Sequence, residues 1–235
     1  MSKGILYGVS VGPGDPELLT LKAVRIIREC DVVAVPNIGH KRQTAYSICE
    51  AHLVGKELLD CFTPMTKDRS VVLDAYSKIT DDVCALLDAG KKVAYLCLGD
   101  IAIYSTYMYV HDIVVARGYD AKIVPGVTSF SASAATLGMA LCEGPERLLV
   151  APVMASDIDE ILDVPATKVF MKSGKAVHEL RDKLAARDEL DRASMVANCG
   201  LPDQKVFAHL ADIDDGGDYY SVVIVKDAPA SDNLG

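Results

Sequence analysis

Gly99 and Asp100 stand where the apolar run Leu96-Cys97-Leu98 breaks into a glycine, an acid and, a few residues on, the hydroxyls of Tyr104, Ser105 and Thr106. A glycine lets the backbone come close to a ligand, and a carboxylate beside it can hold a polar group. Lys92 to Leu98 is short, apolar and partly β-branched, which predicts a buried parallel strand. Ser105 to Arg117 predicts the helix after it. Gly99-Asp100 then falls at the carboxyl end of a strand, the place where open α/β sheets bind ligands. A tight strand-to-helix turn would use the same residues, and on this stretch alone the two readings stand level.

Two further glycine-bearing breaks follow apolar runs. Ile5 to Val11 predicts a strand that ends in Gly12-Pro13-Gly14-Asp15-Pro16-Glu17. Asp15 suits an N-cap, Pro16 a first helical position and Glu17 the positive end of a helix, with Leu18, Leu21, Ala23, Val24 and Ile27 as the apolar face. A dinucleotide fingerprint would need a third glycine where Glu17 stands, and the chain has no Walker-type phosphate loop. Ala121 to Val124 predicts another strand, ending in Pro125-Gly126-Val127-Thr128-Ser129. Thr128 would cap a helix of small residues from Ser129 to Leu137.

The rest of the chain supplies the frame that must hold these breaks. Strands are predicted at Asp31 to Val35 and Glu57 to Leu59, and helices from about Gln43 to His52 and from Ser70 to Ala89, the latter stopped by Gly90. Strand and helix alternate five times, so the first part of the chain should form a mostly parallel five-stranded sheet. Beyond Gly138 strands are predicted near Arg147 to Ala151, Thr167 to Met171, Ser194 to Ala197, Lys205 to Ala208 and Ser221 to Lys226. Helices are predicted near Ile158 and from Lys175 to Arg187, Asp214 to Asp218 reads as a turn, and Asp227 to Gly235 as a frayed tail. The expected fold class is α/β with two α/β domains, residues 1–132 and 133–235.

The totals exclude several functions. A formal charge of −9 argues against a nucleic-acid or anionic-membrane binder, which would carry a basic footprint. Seven cysteines form no C-x-x-C pair and no zinc spacing, and the five histidines show no H-E-x-x-H arrangement, so no metal site is expected. Reduced thiols, the lack of a secretory h-region and the lack of an 18-residue apolar run give a cytoplasmic protein as the expectation.

Taken together and in this order, Gly12-Pro13-Gly14-Asp15-Pro16-Glu17-Leu18-Leu19-Thr20, Gly99-Asp100 and Pro125-Gly126-Val127-Thr128-Ser129 resemble the tetrapyrrole methylases, over nearly the whole chain. The resemblance implies methyl transfer from S-adenosylmethionine, with S-adenosylhomocysteine as product, a cofactor cleft between two α/β domains, and a homodimer. Four further segments are similar to the branch that methylates carbon 20 of precorrin-2 or its cobalt form in cobalamin biosynthesis. They are Phe62 to Asp68, Leu98-Gly99-Asp100 with Tyr104-Ser105-Thr106, Met171-Lys172-Ser173-Gly174 and Gly200-Leu201-Pro202-Asp203. Two positions depart from the family: Ile101 replaces a proline that most relatives carry, and Pro36 stands where uroporphyrinogen III methyltransferases place an aspartate.

By the same resemblance Pro13, Leu98, Gly99, Asp100, Ile103, Thr128, Ser129, Met171 and Gly200 would line the S-adenosylmethionine site. A substrate bearing many carboxylates needs local positive charge from an acidic protein, and Lys41, Arg42, Lys67, Arg69 and Lys172 are the candidates. The proton balance would fall to Tyr104, Asp100 or solvent. Competing expectations are a methylase of the same fold acting at another macrocycle carbon or on a non-tetrapyrrole target, and a nucleotide-binding module without chemistry.

Overall fold

The structure is a computed structural model that describes residues 3–38, 44–64, 66, 68–153, 157–213 and 220–227. The chain divides into two compact units, Met1–Thr128 and Ser129–Gly235.

In the first unit strands β1 (Ile5–Ser10), β2 (Val32–Asn37), β3 (Glu57–Phe62), β4 (Lys92–Cys97) and β5 (Asp120–Val124) form one sheet in the order β3-β2-β4-β1-β5. Every pairing in it is parallel. Helices α1 (Leu21–Glu29), α2 (Thr44–Cys49), α3 (Arg69–Asp88) and α4 (Tyr107–Ala116) provide the crossovers that parallel neighbours require. Alternate side chains point to opposite faces. Val9, Val33, Val35, Ala94 and Leu96 join Ala23, Ile26 and Ile27 of α1, while Leu6, Val93 and Tyr95 join Tyr76, Ile79 and Val83 of α3 and Tyr107, Val110 and Val114 of α4. A sheet covered on both faces explains why its strands read as unbroken apolar runs.

The helix after β1 differs from the sequence expectation. Asp15 Oδ1 accepts from Glu17 N at 2.8 Å, but it caps only a single 3-10 turn, Pro16–Leu18. The backbone is extended at Leu19 and Thr20, and Thr20 Oγ1 then accepts from Ala23 N and starts α1 afresh. This second cap resets the helical phase: Ala23, Ile26 and Ile27 are buried, and Leu21 is 91% exposed. Asp68 caps α3, and its far end agrees with the expectation, closed by Gly90 at φ +78° with its N–H on Leu87 O.

The second unit holds β6 (Leu148–Pro152), β7 (Thr167–Met171), β8 (Ala193–Ala197), β9 (Lys205–Phe207) and β10 (Ser221–Val225), in the order β6-β7-β10-β8-β9. Only β6 and β7 run parallel; β10 enters between β7 and β8, antiparallel to both. Helix α5 (Ser129–Thr136) packs on β10 and β8, so the boundary expected at 132/133 falls inside a helix of this unit. Helices α6 (Ile158–Asp163) and α7 (Val177–Ala186) share a core with Phe170, Met195 and Val223 on the sheet. The turn expected at Asp214 to Asp218, and the tail beyond Asp227, lie outside the described residues.

All seven cysteines are free thiols. Burial pushes those of Cys30, Cys49, Cys61 and Cys97 up to about 12, so at neutral and mildly alkaline pH they stay protonated and unreactive. Cys142 alone among the seven is not buried. A disulfide reagent at pH 8 should therefore titrate one thiol quickly in the native protein and all seven after denaturation; rapid native reaction of several thiols would contradict this packing.

Candidate active site

The connection leaving β1 runs to α1 on one face of the first sheet, and the connection leaving β4 runs to α4 on the other. β1 and β4 are neighbours whose connections leave for opposite faces, the kind of strand-end position at which open α/β sheets bind ligands. Gly12 and Gly99 bridge the two loops: Gly99 N donates to Gly12 O at 2.7 Å and Gly12 N to Gly99 O at 3.2 Å. Gly99 adopts φ +73°, and a Cβ built on it would meet nothing within 4 Å. At the β4 end the protein thus presents backbone and open space together, which is the form of a cradle for a ligand.

Asp100 stitches these loops together. Its Oδ2 accepts from Gly126 N at 2.7 Å, reaching the loop after β5, and its Oδ1 accepts from Ala102 N at 2.9 Å. Ser10, the last residue of β1, uses its fully buried hydroxyl to accept from Ile101 N at 2.9 Å. Gly126 comes so close to Ser10 that a Cβ there would lie 2.5 Å from the serine Cβ. Three strand ends are therefore locked by backbone N–H groups onto two side-chain acceptors. The polar strand-end Ser10 within an otherwise apolar run is the sequence signal that could have pointed to it.

Pro13 is buried in the loop after β1, Leu98, Gly99, Asp100 and Ile103 lie in the loop after β4, where Ile103 N donates to Asp100 O, and Thr128 follows Gly126 by two residues. Tyr104 is 43% exposed and held at φ +50°, a backbone region that bulky residues rarely adopt and that clusters at functional sites. Its neighbour Ser105 turns back to the strand, Oγ to Cys97 Sγ at 3.6 Å.

In the second unit Met171 and Gly200 sit at the ends of β7 and β8, which flank the start of β10: Val222 pairs with Met171 and Ser221 with Ala197. Met171 O accepts from Val153 N. Lys172 follows at φ +55°, and burial holds its amine below the ordinary lysine range. Asn198 is also left-handed, at φ +52°, with Nδ2 donating to Asp203 Oδ2 at 2.8 Å; Gly200 N donates to Gln204 Oε1 at 2.7 Å. Asn198 was not singled out from sequence, although asparagine tolerates this conformation and precedes Cys199-Gly200. Ser129 opens α5 of the second unit. Arg69, exposed, opens α3. Lys41, Arg42 and Lys67 lie outside the described residues.

Backbone amides, small residues and few free charges suit a site that binds and aligns more than one that shuttles protons. Among the described residues no group of three or more histidine, cysteine, aspartate or glutamate side chains could hold a metal ion, and no helix is long and apolar enough to cross a membrane.

Known proteins resemble this chain in sequence and fold. The chain is 33% identical over 225 residues, 94% of it and 95% of the relative, to a probable cobalt-precorrin-2 C(20)-methyltransferase of Methanocaldococcus jannaschii. It is 32% identical over 241 residues, 96% of it and 98% of the relative, to a precorrin-2 C(20)-methyltransferase of a Sinorhizobium species. Among solved structures, a uroporphyrin-III C-methyl transferase of Thermus thermophilus complexed with S-adenyl homocysteine has the same fold, with TM-score 0.67 at 21% identity over 94% of this chain and 97% of that one. With its residues 5–214 matching the family model, the chain belongs to the Tetrapyrrole (Corrin/Porphyrin) Methylases.

Proposed function

We propose that this chain is the S-adenosylmethionine-dependent methyltransferase of cobalamin biosynthesis that adds one methyl group at carbon 20 of precorrin-2 or cobalt-precorrin-2. The observation that carries the reading is the likeness, at 33% and 32% identity and along nearly the full length of both partners, to relatives named for that one position. The open space over Gly99 supports a cofactor at the strand ends.

When bound, S-adenosylmethionine supplies a methyl group on a positively charged sulfur that leaves as the neutral thioether of S-adenosylhomocysteine. The residues assigned to holding it are Pro13, Leu98, Gly99, Ile103 and Thr128 of the first unit and Ser129, Met171 and Gly200 of the second. Their backbone groups and small side chains fix its orientation, so that the work of the protein is alignment of the methyl carbon with the attacking carbon 20. Asp100, with both carboxylate oxygens on backbone N–H groups, positions these loops. The proton that carbon 20 gives up passes to Tyr104 Oη or to water. Arg69 and Lys172, with Lys41, Arg42 and Lys67 from sequence, are assigned to the ring carboxylates. A carboxylate arriving at Lys172 would favour the charged amine that burial disfavours.

The reading includes a homodimer without nucleic-acid partners, in keeping with the charge of −9, and a cytoplasmic location, in keeping with seven free thiols. Incubation of the protein with methyl-labelled S-adenosylmethionine and each macrocycle, followed by carbon NMR of the product, tests it. The expected result is a single new methyl on the carbon-20 bridge. A label at a pyrrole β-carbon would move the activity elsewhere on the ring, and no transfer to either macrocycle would favour a non-tetrapyrrole target.

A further inference from the structure

β2 has a neighbour on each side, and its two ladders stop at different places. Against β3 the pairing runs from Val32 with Glu57 to Asn37 with Phe62, and Thr63 N donates to Asn37 O at 2.7 Å just beyond it. Against β4 it covers only Val32 with Val93, Val33 with Ala94 and Ala34 with Tyr95. β4 itself does not end there. On its other side it pairs with β1 as far as Ser10 with Cys97, and Val11 N then donates to Cys97 O at 2.8 Å. The stretch of β4 that leads into Gly99 is therefore in a ladder on its β1 side and, among the described residues, in none on its β2 side.

Pro36 accounts for the difference. The backbone groups of successive strand residues point to opposite sides, so with Asn37 O on β3 residue 36 faces β4, and with Cys97 O on β1 both Leu96 and Leu98 face β2. In this register the next pair would be Val35 with Leu96, which needs an N–H at residue 36 to donate to Leu96 O. A proline has none. Leu96 O, at a fully buried residue, and the N–H of Leu98 thus lie outside the β2–β4 ladder, side by side on the strand that enters Gly99. Ala34, Val35 and Leu96 are buried while Pro36, Asn37 and Leu98 are half-buried, so access to the sheet begins where this ladder ends. A backbone carbonyl removed from water calls for a donor, and here the fold supplies none from the neighbouring strand.

We propose that Pro36 holds open a ligand-binding edge on β4, in which Leu96 O accepts a hydrogen bond from the ligand and Leu98 N–H donates one to it. Main-chain groups at an unpaired strand edge bind polar ligands in this way when a peptide adds a strand to a sheet. The matching chemistry is an N–H or ammonium donor close to a carboxylate. Within the function proposed above, on which this inference rests, two molecules carry that pair: S-adenosylmethionine in its amino-acid end, and the macrocycle in its pyrrole N–H groups and side-chain carboxylates. Pro36 is a positioning residue in either case, since it acts by withholding a hydrogen bond and not by touching the ligand.

Amide hydrogen exchange read residue by residue by NMR on the full chain tests this, first without any substitution. In the ligand-free parent the Leu98 amide should exchange at least about tenfold faster than that of Cys97, which faces β1, and a bound ligand should slow it by a similar factor. S-adenosylhomocysteine and uroporphyrin III are added separately, and the one that protects Leu98 is the occupant. Pro36→Ala and Pro36→Val then restore the missing N–H with two different side chains. Both should protect the Leu98 amide without ligand and weaken binding of the occupant by about tenfold, with the other ligand bound as in the parent. Equal effects in the two variants assign the result to the N–H. If the parent binds its ligands and neither slows Leu98, or if both variants bind both ligands as the parent does, the edge is no binding site and the proposed function stands. If the parent binds neither S-adenosylhomocysteine nor the macrocycle, the proposed function falls and the edge falls with it.

Discussion

Gly99→Val will lose S-adenosylmethionine binding by two orders of magnitude or more while keeping the circular dichroism of the parent. Two costs act together. The valine Cβ enters space where, beyond the neighbouring residues of the chain, no protein atom lies within 4 Å, so the fold accepts it and a ligand at the strand end does not. The backbone at φ +73° also opposes a β-branched residue by roughly 1–2 kcal/mol, which for a chain of this size lowers the melting temperature by about 2–8 °C. Gly99→Ala separates the two costs, because it pays most of the backbone penalty with one methyl group in place of an isopropyl. It should melt close to Gly99→Val and bind S-adenosylmethionine with intermediate affinity. Calorimetry and thermal melting on the three proteins decide the matter. If Gly99→Val binds as the parent does, the cofactor lies elsewhere and the Gly12–Gly99 bridge is only a turn.

The first sheet was legible because its signals are local. Strands buried on both faces read as apolar runs, and glycine and proline marked each carboxyl end, so Gly12, Gly99 and Gly126 could be placed at strand ends from residue order alone. The insertion of β10 between β7 and β8 was not legible, since nothing within Ser221 to Val225 says which earlier strands it will pair with. Neither was the phase of α1. Asp15-Pro16-Glu17 and Thr20 are both competent N-terminal signals, and only the extended backbone at Leu19 and Thr20 decides that the second one starts the helix. Conformation at non-glycine residues left even less trace. Tyr104 and Lys172 have no intrinsic liking for φ near +50°, so their strain is imposed by the loops around them and is visible only in the fold. At Asp100 the residue type suggested a group facing a ligand, while the structure gives both its oxygens to peptide N–H groups, one of them 26 residues away in sequence.

Asp100 therefore acts as a bracket between two strand-end loops. If the carboxylate is a bracket, its removal should injure the architecture of the site before its chemistry. Hydrogen bonds to a charged acceptor are worth about 1.5–3 kcal/mol each, and a backbone N–H left without a partner adds its own desolvation cost. Asp100→Ala deprives Gly126 and Ala102 of their acceptor at once and should cost roughly 3–5 kcal/mol after allowance for the solvent-facing Ala102 bond. The loop after β5 is then released from the loop after β4, so S-adenosylmethionine affinity should fall steeply. Asp100→Asn keeps one oxygen for Gly126 but turns an NH₂ towards the Ala102 donor, and about half the loss is expected. The pH dependence separates a bracket from a proton carrier. A bracket leaves the shape of the kcat profile unchanged in Asp100→Asn while stability and cofactor affinity drop. A proton carrier would lose one limb of the profile in the same variant with cofactor affinity preserved. Measuring both on Asp100→Asn, with Asp100→Ala as the deeper lesion, would show which of the two Asp100 is, and the paired hydrogen bonds at 2.7 and 2.9 Å set the expectation that the profile keeps its shape.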